Sequence, residues 1–466
     1  MTTTSDAISG AWQSLRNQRL HLSYVTAEAL SDACEKLSDL APAMTLDHIG
    51  DSREGRPICA FTMGDGPIGI SVKGNAHADE PAGVVTALLL VRLLNEVPAW
   101  QKLKDRFRFH IIPSANPDGL SRNRDWVALP FDFRIYFLNV YRDLPRDDVE
   151  FGYAEYPDSS VLHIRPENVA CARFFDDAAP IGAHLSLHSI VFTGGAWFLV
   201  AAEPDIEAHE SSLSLICRAC EEEGIPLHDE DRGGQKGFFR IRKGFHSTPT
   251  VEGMRAFFQQ SGNGELVTDF RINSMQYVMK NCNTQFAAVS ELPYAYDKSL
   301  ANMAATEMPR DDLEIRRGDE LTDVLNALSE IIHGYYQTEM TPDGQFWLEY
   351  YQSYLSYRRA GLKALTSDLD RYSGKMAALR DLFDVNLATL RHRVFNAAAA
   401  YRLSCETQSP ADEARSRMLL GNFDARFEDM NRRFDFQHVS LETQVRLQLS
   451  AVLAGLNAAA AQESRY

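Results

Sequence analysis

The stretch from Ser71 to Leu94, SVKGNAHADEPAGVVTALLLVRLL, decides the fold of this 466-residue chain. It continues a predicted strand that runs from Ile68 to Lys73, and a tight turn follows at Gly74 and Asn75. The helix predicted after Pro81 is apolar nearly all round, so we expect it to pack against a sheet.

The turn after this strand carries His77 and Glu80 in an H-x-x-E pattern. A short bend places the imidazole and the carboxylate on the same side, where both can bind one metal ion. By itself the pattern is weak, because it arises by chance, and a solvated His and Glu at a helix N-terminus is the plainer interpretation. Whether the pattern marks a metal site depends on whether later strands supply further ligands.

The rest of the first 300 residues alternates between apolar strands, helices and loops. The next apolar run, RFRFHIIPSANPDG, predicts a buried strand that ends in a turn at 116–119. Strand, helix and strand in succession predict an α/β fold with a mixed central β-sheet flanked by helices. Residues 120–170 are rich in Arg, Asp and Pro, and an irregular segment of this length usually lines a site.

Composition changes near residue 309. The first 300 residues hold 21 of the 28 glycines and 16 of the 19 prolines, and apolar residues beyond residue 309 recur at helical spacing in about five blocks. We therefore predict a catalytic domain over 1–300 and a C-terminal all-α domain over 309–466. We expect the helical domain to cover the cleft or to build a homo-oligomer, because it shows no chemistry of its own.

Charge and cysteine content exclude several classes of function. A net charge of −17 argues against nucleic-acid or anionic-membrane partners, because phosphate binding needs a basic face. No apolar run approaches the length of a membrane span, and the N-terminus lacks the pattern of a signal peptide. Seven scattered cysteines suit a reducing compartment, so we expect a cytoplasmic protein.

Two later strands carry side chains that would complete a metal site. His188 closes the strand AHLSLHSI at the carboxyl edge of the predicted sheet, and it is our third ligand beside His77 and Glu80. His184 lies four residues back along the same strand, about 13 Å away, and we expect it in the core. Glu291 ends the strand FAAVSELP, where a carboxylate can serve as the base for a metal-activated water.

In this order, the motifs resemble those of the zinc carboxypeptidase family (peptidase family M14) across residues 45–295. GNAHADEPAG resembles the first metal motif, IPSANPDGL the turn after the next strand, LHS the third-ligand motif, and SELP the strand end with the catalytic glutamate. The resemblance implies one Zn²⁺ per chain, held by His77, Glu80 and His188, and Glu291 as general base and acid.

The resemblance also implies arginines that contact the substrate. Arg124 is the best match to the arginine that stabilises the oxyanion, with Arg122 as the alternative. Arg142 matches the arginine of the pair that holds a substrate carboxylate, and a guanidinium is the bidentate partner such a group needs.

Two positions depart from the family pattern. Tyr141 stands where an asparagine that binds the terminal carboxylate is expected. Asn139 replaces the aspartate that orients the first histidine ligand, and a neutral amide makes that ligand less basic. The family's mobile tyrosine has no clear match, and Tyr277 is a weak candidate that fits a helix face better.

These observations predict a zinc-dependent hydrolase that cleaves an amide bond in a peptide or peptide-like substrate. One alternative is an N-acyl amino acid deacylase, because HADEPAG also resembles the succinylglutamate desuccinylase and aspartoacylase branch and Tyr141 weakens carboxylate recognition. A second alternative is a catalytically silent scaffold on the same fold. The ligand set also admits Mn, Co or Ni. Side-chain specificity depends on loops within 225–275.

Overall fold

The computed structural model describes residues 3–40, 44–154, 164–202, 205–260, 271–367, 369–407 and 412–463. The loops at 225–275, to which we assign specificity, therefore lie partly outside the described residues. Within the described ranges, no single helix has the length and apolar content of a membrane span. One pair of helical segments, Ala82–Glu96 and Pro98–Asp105, has that length and apolar content when taken together, but the pair is bent by 90°.

The described elements follow one another along the chain as helices and strands, numbered in order. The helices are α1 Thr4–Arg16, α2 Ala27–Asp39, α3 Ala82–Glu96, α4 Pro98–Gln101, α5 Pro117–Arg122, α6 Arg124–Val127, α7 Phe133–Asn139, α8 Pro166–Ala178, α9 Glu210–Glu222, α10 Val251–Gln260, α11 Ser274–Asn281, α12 Arg310–His333, α13 Pro342–Thr366, α14 Leu379–Cys405, α15 Asp412–Arg433 and α16 Leu441–Glu463. The strands are β1 Met44–Asp51, β2 Pro57–Met63, β3 Ile68–Gly74, β4 Phe107–Ile112, β5 Ile181–Thr193, β6 Trp197–Ala202, β7 Arg240–Arg242, β8 Phe245–Ser247, β9 Phe286–Tyr296, β10 Ala305–Pro309, β11 Met376–Ala378 and β12 Gln437–His438.

A mixed sheet forms the centre of the molecule, in the order β1-β2-β4-β3-β5-β9-β6-β8-β7, and β12 pairs with β9. Its middle strands β4, β3, β5 and β9 are parallel. β2 pairs antiparallel with β4, β6 pairs antiparallel with β9, and β1 pairs antiparallel with β2. Helices cover the sheet, and the predicted α/β class with a helical C-terminal region is confirmed. The sequence predicts that His188 and Glu291 end their strands, but β5 and β9 continue to Thr193 and Tyr296. β3 ends earlier, at Gly74 opposite Leu187, so the residues that follow β3 lie beside His188.

The turn after β3 needs the residues that the sequence places in it. A Cβ on Gly74 would lie 2.5 Å from the carbonyl oxygen of Pro113 and 2.6 Å from that of Gly83, so only glycine fits this close approach. Asn75 adopts a left-handed φ of 49°, which asparagine tolerates better than most residues. Its side-chain amide donates to the carbonyl oxygen of His77 at 2.8 Å, and this bond sets the direction of the H-x-x-E segment.

The five predicted C-terminal helices are confirmed as α12 to α16. The last of them, α16, packs onto the central sheet, and its apolar residues belong to the same core as those of β3, β5 and α3. Gln448 of α16 donates to the carbonyl oxygen of His188 at 3.1 Å. The domain boundary at 309 stays a prediction, but the core of the first 300 residues includes a helix from beyond it.

Because α16 completes this core, truncating one of its buried side chains should destabilise the whole sheet. Leu449 is fully buried, and we expect Leu449→Ala to lower the free energy of unfolding by about 2–5 kcal/mol. Met418→Ala on α15 is the control, because Met418 is 60% exposed and its loss should cost less than about 0.5 kcal/mol. Urea unfolding measures both values, and equal small effects would contradict the assignment of α16 to the core.

Candidate metal centre and cleft

Three buried side chains converge where β3 ends, beside the middle of β5. The Nδ1 atoms of His77 and His188 lie 2.8 Å apart, and the Glu80 carboxylate lies 3.0 Å from the first and 2.7 Å from the second. The ligand atoms of the three residues all fall within 4.8 Å of one another. Two ring nitrogens and a carboxylate aimed at one point are a donor set that fits Zn²⁺.

The outer nitrogen of each ring faces an acceptor, which assigns the tautomers. Nε2 of His188 lies 2.8 Å from the Ser186 hydroxyl and 3.3 Å from Glu150, and Nε2 of His77 lies 3.6 Å from Asp148. A proton on each Nε2 leaves both Nδ1 lone pairs for a metal ion. Outer carboxylates of this kind fix the ring orientation and raise the basicity of the ligand.

The potential at this cluster favours a cation. Burial and Arg142 act to lower the pKa of His77, but the carboxylates of Glu80 and Asp148 outweigh them and raise the pKa to about 10. Burial acts to raise the pKa of Glu80, but His77, Arg142 and His188 outweigh it and hold the pKa well below its usual range. The residues present therefore fit a bound divalent metal.

Glu150 faces the outer nitrogen of His188 and holds that ring in place. Its carboxylate accepts bonds from Lys73 at 2.5 Å and from the Ser274 hydroxyl at 2.6 Å, so a buried ion pair positions the acceptor of His188. Burial acts to raise the pKa of Glu150, but Lys73 and His188 hold it well below its usual range. The sequence analysis missed this residue, although it lies in the irregular segment 120–170 that was expected to line a site.

Glu291 lies beside the cluster because of the strand register. β5 and β9 are parallel neighbours in which His188 pairs directly with Glu291, so both side chains emerge on the same face of the sheet. Burial, together with the nearby carboxylate of Glu80, raises the pKa of Glu291 to about 7. A carboxylate with such a pKa can accept and return a proton near neutral pH.

Arg142 contacts the ligand cluster directly. Its Nη1 donates to Asp79 at 2.9 Å and to Glu80 at 2.7 Å, so this guanidinium already holds two carboxylates. Asp79 is held from its other side by the hydroxyl of Tyr136 at 2.9 Å. Arg142 therefore positions a ligand, and part of its capacity to bind a substrate carboxylate is taken.

Tyr141 faces away from the ligand cluster. Its ring packs 5.3 Å from that of Tyr350 and 6.0 Å from that of Trp347, both on α13, and its hydroxyl donates to Asp143 at 3.1 Å. Where the family pattern has an asparagine for the substrate, this chain thus has an aromatic residue that docks the helical region onto the loop.

The structure does not bring Arg124 to the cleft. It is exposed at the start of α6, where its charge acts on Glu28 of α2. The alternative, Arg122, donates to Glu54 at 2.8 Å and lies over the ring of Phe346. Neither arginine lines the cleft, because the short helices after β4 direct both toward the surface.

Asn139 also lies apart from the position predicted for it. Its amide donates to the carbonyl oxygen of Ile135 within α7 at 2.8 Å, and Asp148 is the residue that faces the outer nitrogen of His77. The chain has no carboxylate at position 139, and Asp148, nine residues later, supplies one to His77 instead. The D-x-E pattern of Asp148 and Glu150 was the available signal, since one carboxylate faces each histidine ligand.

We expect Asp148→Asn to weaken zinc affinity about 10–100-fold, because the outer carboxylate that makes His77 basic becomes a neutral amide. The amide oxygen can still accept the backbone bond that Asp148 takes from Glu150 at 2.8 Å, so the loop should keep its fold. Asn139→Ala is the matched control and should leave the affinity unchanged. Competition with a chromogenic chelator measures both, and a loss in the control alone would restore the role first predicted for Asn139.

His184 and Tyr277 are both buried, at the places that the sequence favours. His184 is fully buried between the hydroxyls of Ser71, at 2.6 Å, and Ser274, at 3.1 Å, which confirms its expected place in the core. Tyr277 lies on α11 and is buried, with its hydroxyl bonded to Asp176 at 2.9 Å. It therefore lies on a helix face, as the sequence favoured.

A cleft of 460 Å³ opens beside the candidate metal cluster, and Glu80 and Glu291 are among the residues that line it. One wall comes from the sheet edge and the loop after α7, and the other comes from the helical region. The residues of the helical wall are Tyr350, Tyr354, Tyr357 and Arg358 of α13 and Arg391, His392 and Phe395 of α14. The helical region therefore covers one side of the cleft, in agreement with one of the two roles expected for it.

Comparison with known protein families supports the resemblance found in the motifs. Residues 30–129 match the model of the family described as zinc carboxypeptidase. Carboxypeptidase SOL1 of Arabidopsis thaliana is 32% identical over 139 residues, a match that covers 26% of this chain and 28% of that protein. The chain thus matches only about a quarter of the length of this relative, and the resemblance to the family is confirmed over that part of the chain.

Similar solved structures include bovine thrombin-activatable fibrinolysis inhibitor in complex with tick carboxypeptidase inhibitor, at 14% identity and a TM-score of 0.37 over 75% of this chain and 98% of that one. A metallo-carboxypeptidase from Burkholderia cenocepacia aligns at 16% identity and a TM-score of 0.33, over 57% of this chain and 60% of that one. The fold described above rests on the strand order and register of this chain.

Proposed function

From the family match over residues 30–129, we propose that this protein is a zinc-dependent hydrolase that removes an amino acid from a peptide or peptide-like substrate by cleaving an amide bond. The observation that carries the proposal is the convergence of two histidine Nδ1 atoms and a carboxylate beside Glu291. We propose zinc as the metal, and elemental analysis of the purified protein distinguishes it from Mn, Co and Ni.

His77, Glu80 and His188 would hold the metal, and a zinc ion held there would supply Lewis-acid activation of a water molecule. Glu291 would take a proton from the attacking water and pass it to the leaving nitrogen, which its raised pKa suits. Asp148 and Glu150 would accept the Nε2 protons of the two rings, which orients the rings and leaves their Nδ1 lone pairs for the metal.

The predicted stabilisation of the oxyanion needs another residue, because Arg124 lies at the surface. Arg142 lines the cleft and contacts the ligand Glu80, so we assign electrostatic stabilisation of the developing charge to its guanidinium. The ion pairs with Asp79 and Glu80 hold this group in place before the substrate arrives, as preorganisation requires.

Removal of an acyl group from an N-acyl amino acid is the second candidate function. The observation that favours it is the orientation of Tyr141, because the side chain at the position of the family's carboxylate-binding asparagine packs against α13. Both candidate functions use the same metal and base and cleave an amide bond. They differ in the group on the acyl side of that bond, which is a peptide in the first and a simple acyl group in the second.

Hydrolysis of matched substrates tests the proposal. Zinc-loaded protein is assayed with blocked dipeptides and with the corresponding N-acetyl and N-succinyl amino acids, and amino-acid release is followed by mass spectrometry. Release from dipeptides that stops on chelation and returns with zinc would support the first candidate, and release from acyl amino acids alone would favour the second. No release from either set by a zinc-loaded, folded protein would contradict both and favour a silent scaffold.

A further inference from the structure

Two arginines of the helical wall reach the cleft and have no carboxylate partner in the described part of the chain. Arg358 of α13 and Arg391 of α14 both line it. Among the residues that the structure describes, neither has an acidic group within ion-pair distance, whereas Arg142 at the other end of the cleft holds two. A cation in a partly closed, aromatic-walled cleft is costly unless an anion joins it.

The groups that face these arginines are neutral or already paired. Nη2 of Arg358 donates to Nε2 of His392 at 2.7 Å, and Nδ1 of that ring donates to the carbonyl oxygen of Ala388 at 2.6 Å, so His392 is a neutral acceptor. Asp384 acts on Arg391 only from a distance, since its carboxylate accepts from Arg317 at 2.9 Å.

The acidic residues at the metal end of the cleft are also engaged. Asp79 and Glu80 pair with Arg142, Asp143 pairs with Arg165 at 3.1 Å, and Asp148 faces His77. The cleft therefore has an acidic end at the candidate metal site and a cationic end to which the described ranges contribute no counter-charge. Burial, and next the charge of Arg358, lowers the pKa of Arg391 below its usual value, in agreement with two guanidinium groups that face each other without an anion.

We propose that Arg391, assisted by Arg358, binds a carboxylate of the amino acid that the enzyme releases. A guanidinium donates two parallel hydrogen bonds to a carboxylate. Arg391 and Arg358 have no acidic partner among the described residues that would compete for these bonds, whereas Nη1 of Arg142 is bound to Asp79 and Glu80. Recognition of the anionic end of the substrate thus comes from the helical region, through Arg358 and Arg391, which lie 216 and 249 positions beyond Arg142. The inference rests on the proposed function, because it makes the cleft the place where the released amino acid lies.

The carboxylate can be the α-carboxylate or that of an acidic side chain, and four isosteric probes separate the two. L-Glutamate carries both groups, L-glutamine only the α-carboxylate, L-isoglutamine only the side-chain carboxylate, and L-glutaminamide neither. Isothermal titration calorimetry of each probe into zinc-loaded full-length protein gives the Kd, and no turnover is needed.

We expect Arg391→Gln to weaken L-glutamate binding about tenfold or more, because a charge-assisted hydrogen bond is lost. The single-carboxylate probe that loses the same factor identifies the group bound, and L-glutaminamide should be unaffected. Arg358→Gln should show a smaller loss. Arg393→Gln is the control, since Arg393 is exposed on the same helix.

Several results would overturn the inference. These are unchanged binding of both carboxylate probes to a folded, zinc-loaded Arg391→Gln protein, an equal loss for all four probes, or no binding of L-glutamate to the wild type. The outcome is separable from that of the proposed function. Amide hydrolysis that persists without carboxylate selectivity would defeat the inference alone, and probe binding that depends on Arg391 in a protein without hydrolytic activity would defeat the proposed function alone.

Discussion

Glu291→Gln should lower kcat about 10²–10⁴-fold while zinc content stays at the wild-type level. The side chain is nearly isosteric, and it lies beside His188 on the neighbouring strand without being one of the three converging ligands. The substitution therefore removes a proton acceptor and leaves the metal site. Its effect should appear in kcat more than in KM, because an interaction made in the transition state is lost.

The measurement is steady-state hydrolysis of the best substrate from the panel, with zinc measured by elemental analysis of the same sample. Ser290→Ala is the control, because Ser290 precedes Glu291 on β9 and its hydroxyl only accepts a 3.3 Å bond from the backbone N–H of His188. An active Glu291→Gln protein with full zinc content would assign the base to another group. Loss of zinc in this variant would make Glu291 a metal residue.

His188→Ala should abolish stoichiometric metal binding, with about one zinc per chain in the wild type and little in the variant. Removing one of three protein ligands leaves His77 and Glu80, which is fewer than a catalytic zinc site uses. Glu150 would also lose the ring that it faces at 3.3 Å, although its bonds to Lys73 and Ser274 remain. We expect the variant to stay folded and to lose hydrolytic activity with the metal.

Elemental analysis after purification and zinc supplementation checks this result, and thermal unfolding with and without zinc provides an independent readout. The wild type should unfold at a higher temperature with zinc, because a ligand bound only by the folded state stabilises it. His333→Ala is the control, since His333 is exposed at the end of α12. Equal zinc in wild type and His188→Ala would place the metal elsewhere, and no zinc in either would favour the scaffold alternative.

The sequence was sufficient to predict the residues that converge on the metal position. His77 and Glu80 follow β3, as predicted, but His188 and Glu291 lie inside β5 and β9, which continue to Thr193 and Tyr296. They come together because β3 ends at Gly74, opposite Leu187 of β5, and because His188 pairs with Glu291. The strands and the turn that needs Gly74 follow from local patterns, whereas the register between the strands does not. The apolar spacing of the C-terminal segments likewise predicted five helices, because periodicity depends only on neighbours along the chain.

The contacts of the arginines could not be predicted from local sequence patterns. Residues 120–150 have no sustained periodicity, and a guanidinium on a long side chain turns toward whichever acid the fold brings near it. Arg124 acts on Glu28 only through its charge, whereas Arg142 donates hydrogen bonds to Asp79 and Glu80. The spacing of the motifs predicts neither interaction.

What the sequence by itself determined is the α/β class and the four residues of the candidate metal site and candidate base, since each depends on contacts within or between adjacent strands. Only the tertiary structure decided which surfaces cover that site. The apolar face of α16 predicts burial without naming the sheet as its partner, and Arg358 and Arg391 reach the cleft because α13 and α14 pack over the loop after α7. An amphipathic helix specifies that one face is buried, and long-range packing selects what lies against it.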